Sequence, residues 1–213
     1  MRLPADLASG IALPISGIGG GNRGVVVAGS FSGNFERNET RLALYDAMAE
    51  QRSFDLRFFL VEGRTDRRSN VNCGMRTSAV TVDVVSVDAE QMHFVCLIDG
   101  EDGLPAGRLQ LRSVREGLGG MLSLEERQGE IALDGLMLQI RSSHQLEGTS
   151  LSIADPIGYV LSQNGRPVGA ISLNGEPVLT VHSDADARLR QAVTVAGVTI
   201  GLFRDPAASQ LGR

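Results

Sequence analysis

Few side chains in this 213-residue chain are equipped for chemistry. The three histidines, His93, His144 and His182, stand in three different neighbourhoods, and none has a second His or a Cys at metal-ligand spacing. His93 lies on an apolar strand, where a hydrogen-bonded structural role is expected. His182, Asp184 and Asp186 have the residue types of a metal site, but carboxylates at the start of a helix are explained by capping and the macrodipole. Asp99-Gly100-Glu101-Asp102-Gly103 is acidic, yet it lacks the ligand spacing and closing Glu of a calcium loop and reads as a turn. Gly29-Ser30-Phe31-Ser32-Gly33 misses a nucleophile elbow because Phe31, not Ser, sits at its centre. No catalytic residue, cofactor site or metal site is assigned.

Two features remain. Arg64, Arg67 and Arg68 fall within the polar stretch Gly63–Asn72, and guanidiniums so close in sequence can hold a phosphate or carboxylate bidentately. They are the candidate contacts for an anion or a lipid headgroup, set against a solvated loop partly neutralised by Asp66. Cys73 and Cys96 are too few for a disulfide framework or a zinc site. Both have strand-like neighbours and can face each other across a sheet. Small buried thiols are the reading adopted, with pairing left open.

The elements that must position these residues are mostly strands. Hydrophobic residues make up 42% and charged residues 21%, ordinary for a globular domain, while 26 glycines imply many tight turns. Phe54–Glu62 is strand-like. Val80, Val82 and Val84 alternate, Val87–Glu90 reads as a turn, and Met92, Phe94, Cys96 and Ile98 alternate again, so a β-hairpin is expected there. Leu109, Leu111 and Ser113 continue as a further strand. Asn38–Arg52 is the ambiguous segment: Leu44, Tyr45 and Met48 share a helical face and Asn38 can cap it, against a strand through Thr40–Tyr45. A short helix near 39–51 is the reading chosen.

Residues 122–140 and 161–181 share the pattern G-x-I-x-L-[DN]-G and read as two similar meanders, each with a turn near its Arg-x-Gly stretch. A polar connection, Ser142–Pro156, lies between them. The chain then reaches Ser183–Phe203, polar at first and uncharged from Ala192 onward. Ser183 as N-cap with Asp186 three residues later predicts a helix over about 184–203. Being apolar all round, it belongs in a core.

The expected fold is therefore mainly β (α+β): an antiparallel meandering barrel or sandwich around a largely buried C-terminal helix. Residues 1–24 read as a Gly/Pro-rich N-terminal segment, 25–206 as one β-rich domain and 207–213 as a tail. The glycine loop Gly17–Gly24 is followed by the strand-like Val25-Val26-Val27 rather than by a helix, which favours a flexible loop over a phosphate-cradling one. A net charge of −5 argues against nucleic acid as partner. No run approaches the roughly 20 apolar residues of a membrane-spanning helix, and no signal peptide is seen, so a cytoplasmic, reduced protein is expected.

Late strands followed by an apolar helix, with Tyr159-Val160-Leu161-Ser162-Gln163-Asn164-Gly165-Arg166-Pro167-Val168-Gly169 as a "strand, Asn-Gly, strand" unit, resemble the tubby-like barrel. That fold is shared by tubby C-terminal domains, phospholipid scramblases and LURP-one-related proteins. The resemblance covers roughly residues 105–206. It implies strands surrounding a hydrophobic C-terminal helix, and some relatives bind phosphoinositides through basic clusters. The functional expectation is a non-enzymatic binding or scaffold protein that engages a lipid headgroup, a protein partner or its own copy. The alternatives are an assembly protein using its N-terminal segment as an exchangeable arm, and an enzyme whose site is built from distant residues.

Overall fold

The computed structural model describes residues 1–19, 21–44, 49–82, 85–88, 92–100, 102–115, 125–149 and 152–205. A single 3-10 turn, Ala5–Leu7, precedes the first strand. The strands are β1 (Ile11–Ser16), β2 (Arg23–Ala28), β3 (Phe31–Leu44), β4 (Ala49–Glu62), β5 (Arg68–Val82), β6 (Val85–Asp88), β7 (His93–Asp99) and β8 (Pro105–Arg115). They continue with β9 (Glu125–Leu133), β10 (Leu136–Ser143), β11 (Gly158–Gln163), β12 (Arg166–Ser172) and β13 (Val178–Val181), and the helix α1 (Ala187–Leu202) follows.

All pairings between these strands are antiparallel, in the order β4-β3-β2-β1-β13-β12-β11-β10-β9-β8-β7-β5-β6. A further pairing of β4 with β5 closes the ring into a 12-stranded barrel, leaving β6 as an added strand on β5. Closure removes the free edges that an open sheet this wide would expose. Period-2 alternation sets the faces: on β7, Phe94, Cys96 and Ile98 are buried and point inward while His93 and Leu97 are exposed. Beyond the rim, β3, β4 and β5 run on together past the ends of β2 and β7, and β6 pairs with the extension of β5.

The helix fills the barrel. Every residue from Gln191 to Ile200 is buried, so no side of α1 meets solvent there. Contacts leave it in all directions. Val193 meets Gly169 of β12, Gly197 meets Leu179 of β13, and Gln191 Nε2 donates to Ser69 Oγ of β5 at 2.9 Å. Phe203, just past the helix, packs on Phe54 of β4 and Phe94 of β7 with ring centroids 5.7 and 4.6 Å away. Close approach depends on the missing side chains: a Cβ on Gly169 would lie 2.4 Å from Val193, and one on Gly197 2.6 Å from Leu179. Thr194 and Thr199, fully buried, satisfy their hydroxyls by donating to Arg190 O and Val195 O one turn back.

Several expectations need correction. The helix begins at Ala187, and its N-cap is Asp186, whose carboxylate accepts from Leu189 N at 2.7 Å; Ser183 lies in the preceding turn, where His182 O accepts from Ala185 N. The described parts of Asn38–Arg52 are strand rather than helix: residues 38–44 finish β3 and 49–52 open β4, while 45–48 lie outside the described residues. Cross-strand pairing with a long neighbour outweighs a weak helical periodicity. The partner of β7 is Asn70–Met75, not Val80–Val84, because β5 starts at Arg68 and only its far end pairs with β6. Val87 and Asp88 therefore belong to β6 rather than to a turn.

In the two meanders, Asp134-Gly135 and Asn164-Gly165 form the tight turns, all four residues having positive φ. At Asn174-Gly175 only Gly175 has positive φ, and a longer bend over residues 173–177 joins β12 to β13 in place of a two-residue turn. Around Arg127, however, β9 runs straight through, so the turn expected at the first Arg-x-Gly stretch is absent. Leu122–Leu124 lie outside the described residues. The 1–24 segment is not separate from the barrel, since β1 is a stave between β13 and β2, and Met1 and Leu7 pack with Ile157 and Ala170.

Cys73 and Cys96 are directly opposed on β5 and β7 and form a disulfide facing the barrel interior. The reading of both as free buried thiols is thus corrected: strand register sets them face to face across the sheet. Cys73→Ser, or full reduction, is expected to lower stability by about 3 kcal/mol, from the 23-residue separation of the linked cysteines. The melting temperature should fall by on the order of 10 °C. Identical melts with and without a reductant that demonstrably opens the bond would refute this.

Candidate functional site

One end of the barrel gathers the Gly63–Arg67 loop, the Gly100–Leu104 loop, the Asp134-Gly135 turn and the N-terminus of α1. Between them lies a depression of about 560 Å³ whose lining includes Arg67, Arg68, Ser69, Asp102, Asp134 and Gln191. The loop that carries the arginines is closed locally. Thr65 and Asp66 donate their amides to Glu62 O, Thr65 Oγ1 donates to Glu62 Oε2 at 2.8 Å, and Glu62 N donates to Arg67 O. Asp66 takes positive φ to complete the reversal.

The three arginines face different partners. Arg67 donates to Asp134 Oδ2 at 2.7 Å, with both side chains part-exposed, a pair worth no more than about 1 kcal/mol. Arg68 sits at the start of β5, donates to Asn70 Oδ1 at 2.9 Å and lies 4.1 Å over the ring of Phe59. Arg64 is exposed and makes no hydrogen bond or ion pair among the described residues. So Arg67 and Arg68 share one concavity, and Arg64 extends from the loop beside it. A fourth guanidinium, Arg188, donates to the backbone carbonyl of Asp134 at the same end. Its distance in sequence hides it from any local motif; only the placement of α1 brings it there.

The opposite end centres on Arg37, an inward-facing, buried residue of β3. Its guanidinium donates to Leu202 O at the C-terminus of α1 and to Ile18 O, Gly19 O and Gly21 O of the glycine loop. The loop therefore turns carbonyls, not amides, toward its guest, the reverse of a phosphate cradle. Burial, and secondarily the charge of Arg204, lower the Arg37 pKa to about 10, so it stays protonated at neutral pH. A depression of about 640 Å³ beside it is lined by Ile15, Ile18, Ile200 and Phe203. Nearby, Arg127 of β9 is paired with Asp205, both side chains nearly buried, and lies over the ring of Phe203.

The histidines do not converge. His93 is exposed on the outer face of β7 and, among the described residues, makes none of the hydrogen bonds expected of a structural histidine. His144 is buried, its ring nitrogens bonded to Ser142 Oγ and Ile153 O. His182 Nδ1 accepts from Asp184 N at 3.2 Å. Among the described residues no group of three or more His, Cys, Asp or Glu side chains could hold a metal ion. Asp102 Oδ1 accepts from Leu104 N, which makes the acidic stretch a turn; Glu101 lies outside the described residues. No described helix is long and apolar enough to cross a membrane.

In comparisons with known proteins, no family model, no curated protein and no solved structure matches this chain.

Proposed function

We propose that this chain is a non-enzymatic binding or scaffold protein of tubby-like barrel type, receiving an anionic lipid headgroup or a protein partner at the barrel end that carries Arg64, Arg67 and Arg68. The observation that supports it most is the unbroken burial of Gln191–Ile200. Along Gln191–Ile200 α1 occupies the interior among apolar side chains, so among the described residues recognition is assigned to the rims and the outer face. A barrel wrapped around a hydrophobic C-terminal helix is also the arrangement implied by the tubby-like resemblance. At the rim, Arg67 and Arg68 line one depression with Arg64 exposed beside it. The Arg67–Asp134 pair is weak enough to yield to a doubly charged ligand.

Vesicles containing anionic lipid should sediment the protein, and Arg64→Ala/Arg67→Ala/Arg68→Ala should abolish this. Raising ionic strength should weaken it too, because screening shortens the reach of exposed charges. Absent binding, or binding indifferent to the triple substitution, would remove the headgroup reading.

A further inference from the structure

The outer face of β7, β8, β9 and β10 carries a second constellation, distant in sequence from the rim arginines. Register places His93 opposite Arg112, Arg112 opposite Gln128, and Gln128 opposite Arg141, one cross-strand row over four strands. The next outward row is Val95, Gln110, Glu130 and Gln139. Together the polar residues line a groove of about 340 Å³. Arg112, Arg141 and His93 are exposed, and none makes a hydrogen bond or ion pair among the described residues.

Two carboxylates adjoin this row, and each accepts from a glutamine of the same groove rather than from an arginine. Glu130 accepts from Gln110 Nε2 at 2.7 Å, and Glu126 accepts from Gln128 Nε2 at 3.4 Å. Arg112 and Arg141 flank β9, so their backbones stand about 10 Å apart, two strand spacings. That gap lets both guanidiniums close on one tetrahedral oxyanion above Gln128, with the His93 ring as a further donor. Guanidiniums match phosphate oxygens two at a time, and the amides of Gln128 and Gln139 can serve the ligand's hydroxyls.

We infer that this groove is a binding site for a phosphate ester, held by Arg112 and Arg141 with His93 and Gln128 beside them. It is independent of the rim arginines and of the headgroup reading built on them. The phosphate can belong to a soluble monoester or to a lipid head, and the test separates the two. Calorimetric titration of the whole chain with glycerol phosphate, and sedimentation with vesicles bearing phosphatidylinositol phosphate, form its two arms. Arg112→Gln and Arg141→Gln should each weaken binding by at least about tenfold, as loss of a charge-assisted hydrogen bond implies. The rim variant Arg64→Ala/Arg67→Ala/Arg68→Ala should leave glycerol phosphate binding unchanged. Thermal melts of the glutamine variants should match the parent, since both side chains are exposed. Saturable binding in the first arm identifies a soluble ester; binding in the vesicle arm alone, lost with Arg112→Gln, identifies a lipid. No binding in either arm, or binding lost with the rim variant and kept with Arg112→Gln/Arg141→Gln, overturns the site.

Discussion

Val195→Asp is expected to leave no soluble, folded protein. Val195 is wholly buried on a helix with barrel wall around it, so a carboxylate there has neither water nor a cation to meet. An uncompensated buried charge costs several kcal/mol, a large part of the roughly 5–15 kcal/mol by which a domain is stable. Val195→Ala, which removes volume without adding charge, should remain folded at a cost of about 1–3 kcal/mol. Circular dichroism and a cooperative thermal transition distinguish the outcomes. A Val195→Asp chain that melts like the parent would mean α1 does not fill the barrel.

Arg37→Ala is the second substitution with a large expected effect. One side chain serves four carbonyls, from the helix end and from the glycine loop, and none of these carbonyls can donate to another. An unmet buried acceptor costs about 1–3 kcal/mol, and water from the adjacent depression can reach some of the four. A net loss on the order of 3–5 kcal/mol follows. Arg37→Lys keeps the charge but not the planar fork, and should fall between the two. Urea denaturation measures the loss, and amide exchange should show the last turn of α1 opening first. Equal midpoints for Arg37→Ala and the parent would show that these bonds contribute nothing to holding the helix end.

Much of the architecture was legible because period-2 patterns are local. Phe94, Cys96 and Ile98, or Leu109 and Leu111, announce an inward face without knowledge of any partner. The Asp-Gly and Asn-Gly turns are legible for the same reason, since positive φ is demanded by the turn itself. Register is not local. Val71, Cys73 and Met75 alternate as well as Val80 and Val82 do, and nothing in either run says which lies beside β7. Pairing β7 with the Val80 run instead leaves the opposition of Cys73 and Cys96 a possibility that the sequence does not decide.

The candidate site residues divide in the same way. Arg64, Arg67 and Arg68 were visible as a cluster in sequence. Arg188, Arg112 and Arg141 become neighbours of one another or of the rim only through pairing and helix placement. Arg37 did leave a trace: it continues the inward alternation of Phe31, Gly33 and Phe35, and a cation on an apolar face of a strand signals a buried partner. The helix at 38–52 was misassigned because three residues at helical spacing carry little weight against a strand of 14 residues.

The pairing of β1 with β13 and the seating of α1 inside the ring also constrain how the chain is made. Every stave emerges from the ribosome before the element that fills them, and the first stave must wait for the last. Hairpins such as β9–β10 can zip early, but the ring cannot close on its contents until synthesis has passed Leu202. Such late, long-range contacts make for slow folding and a long interval of exposed apolar surface. During that interval the Cys73–Cys96 bond, once formed, pins β5 to β7 while the other staves are still being delivered.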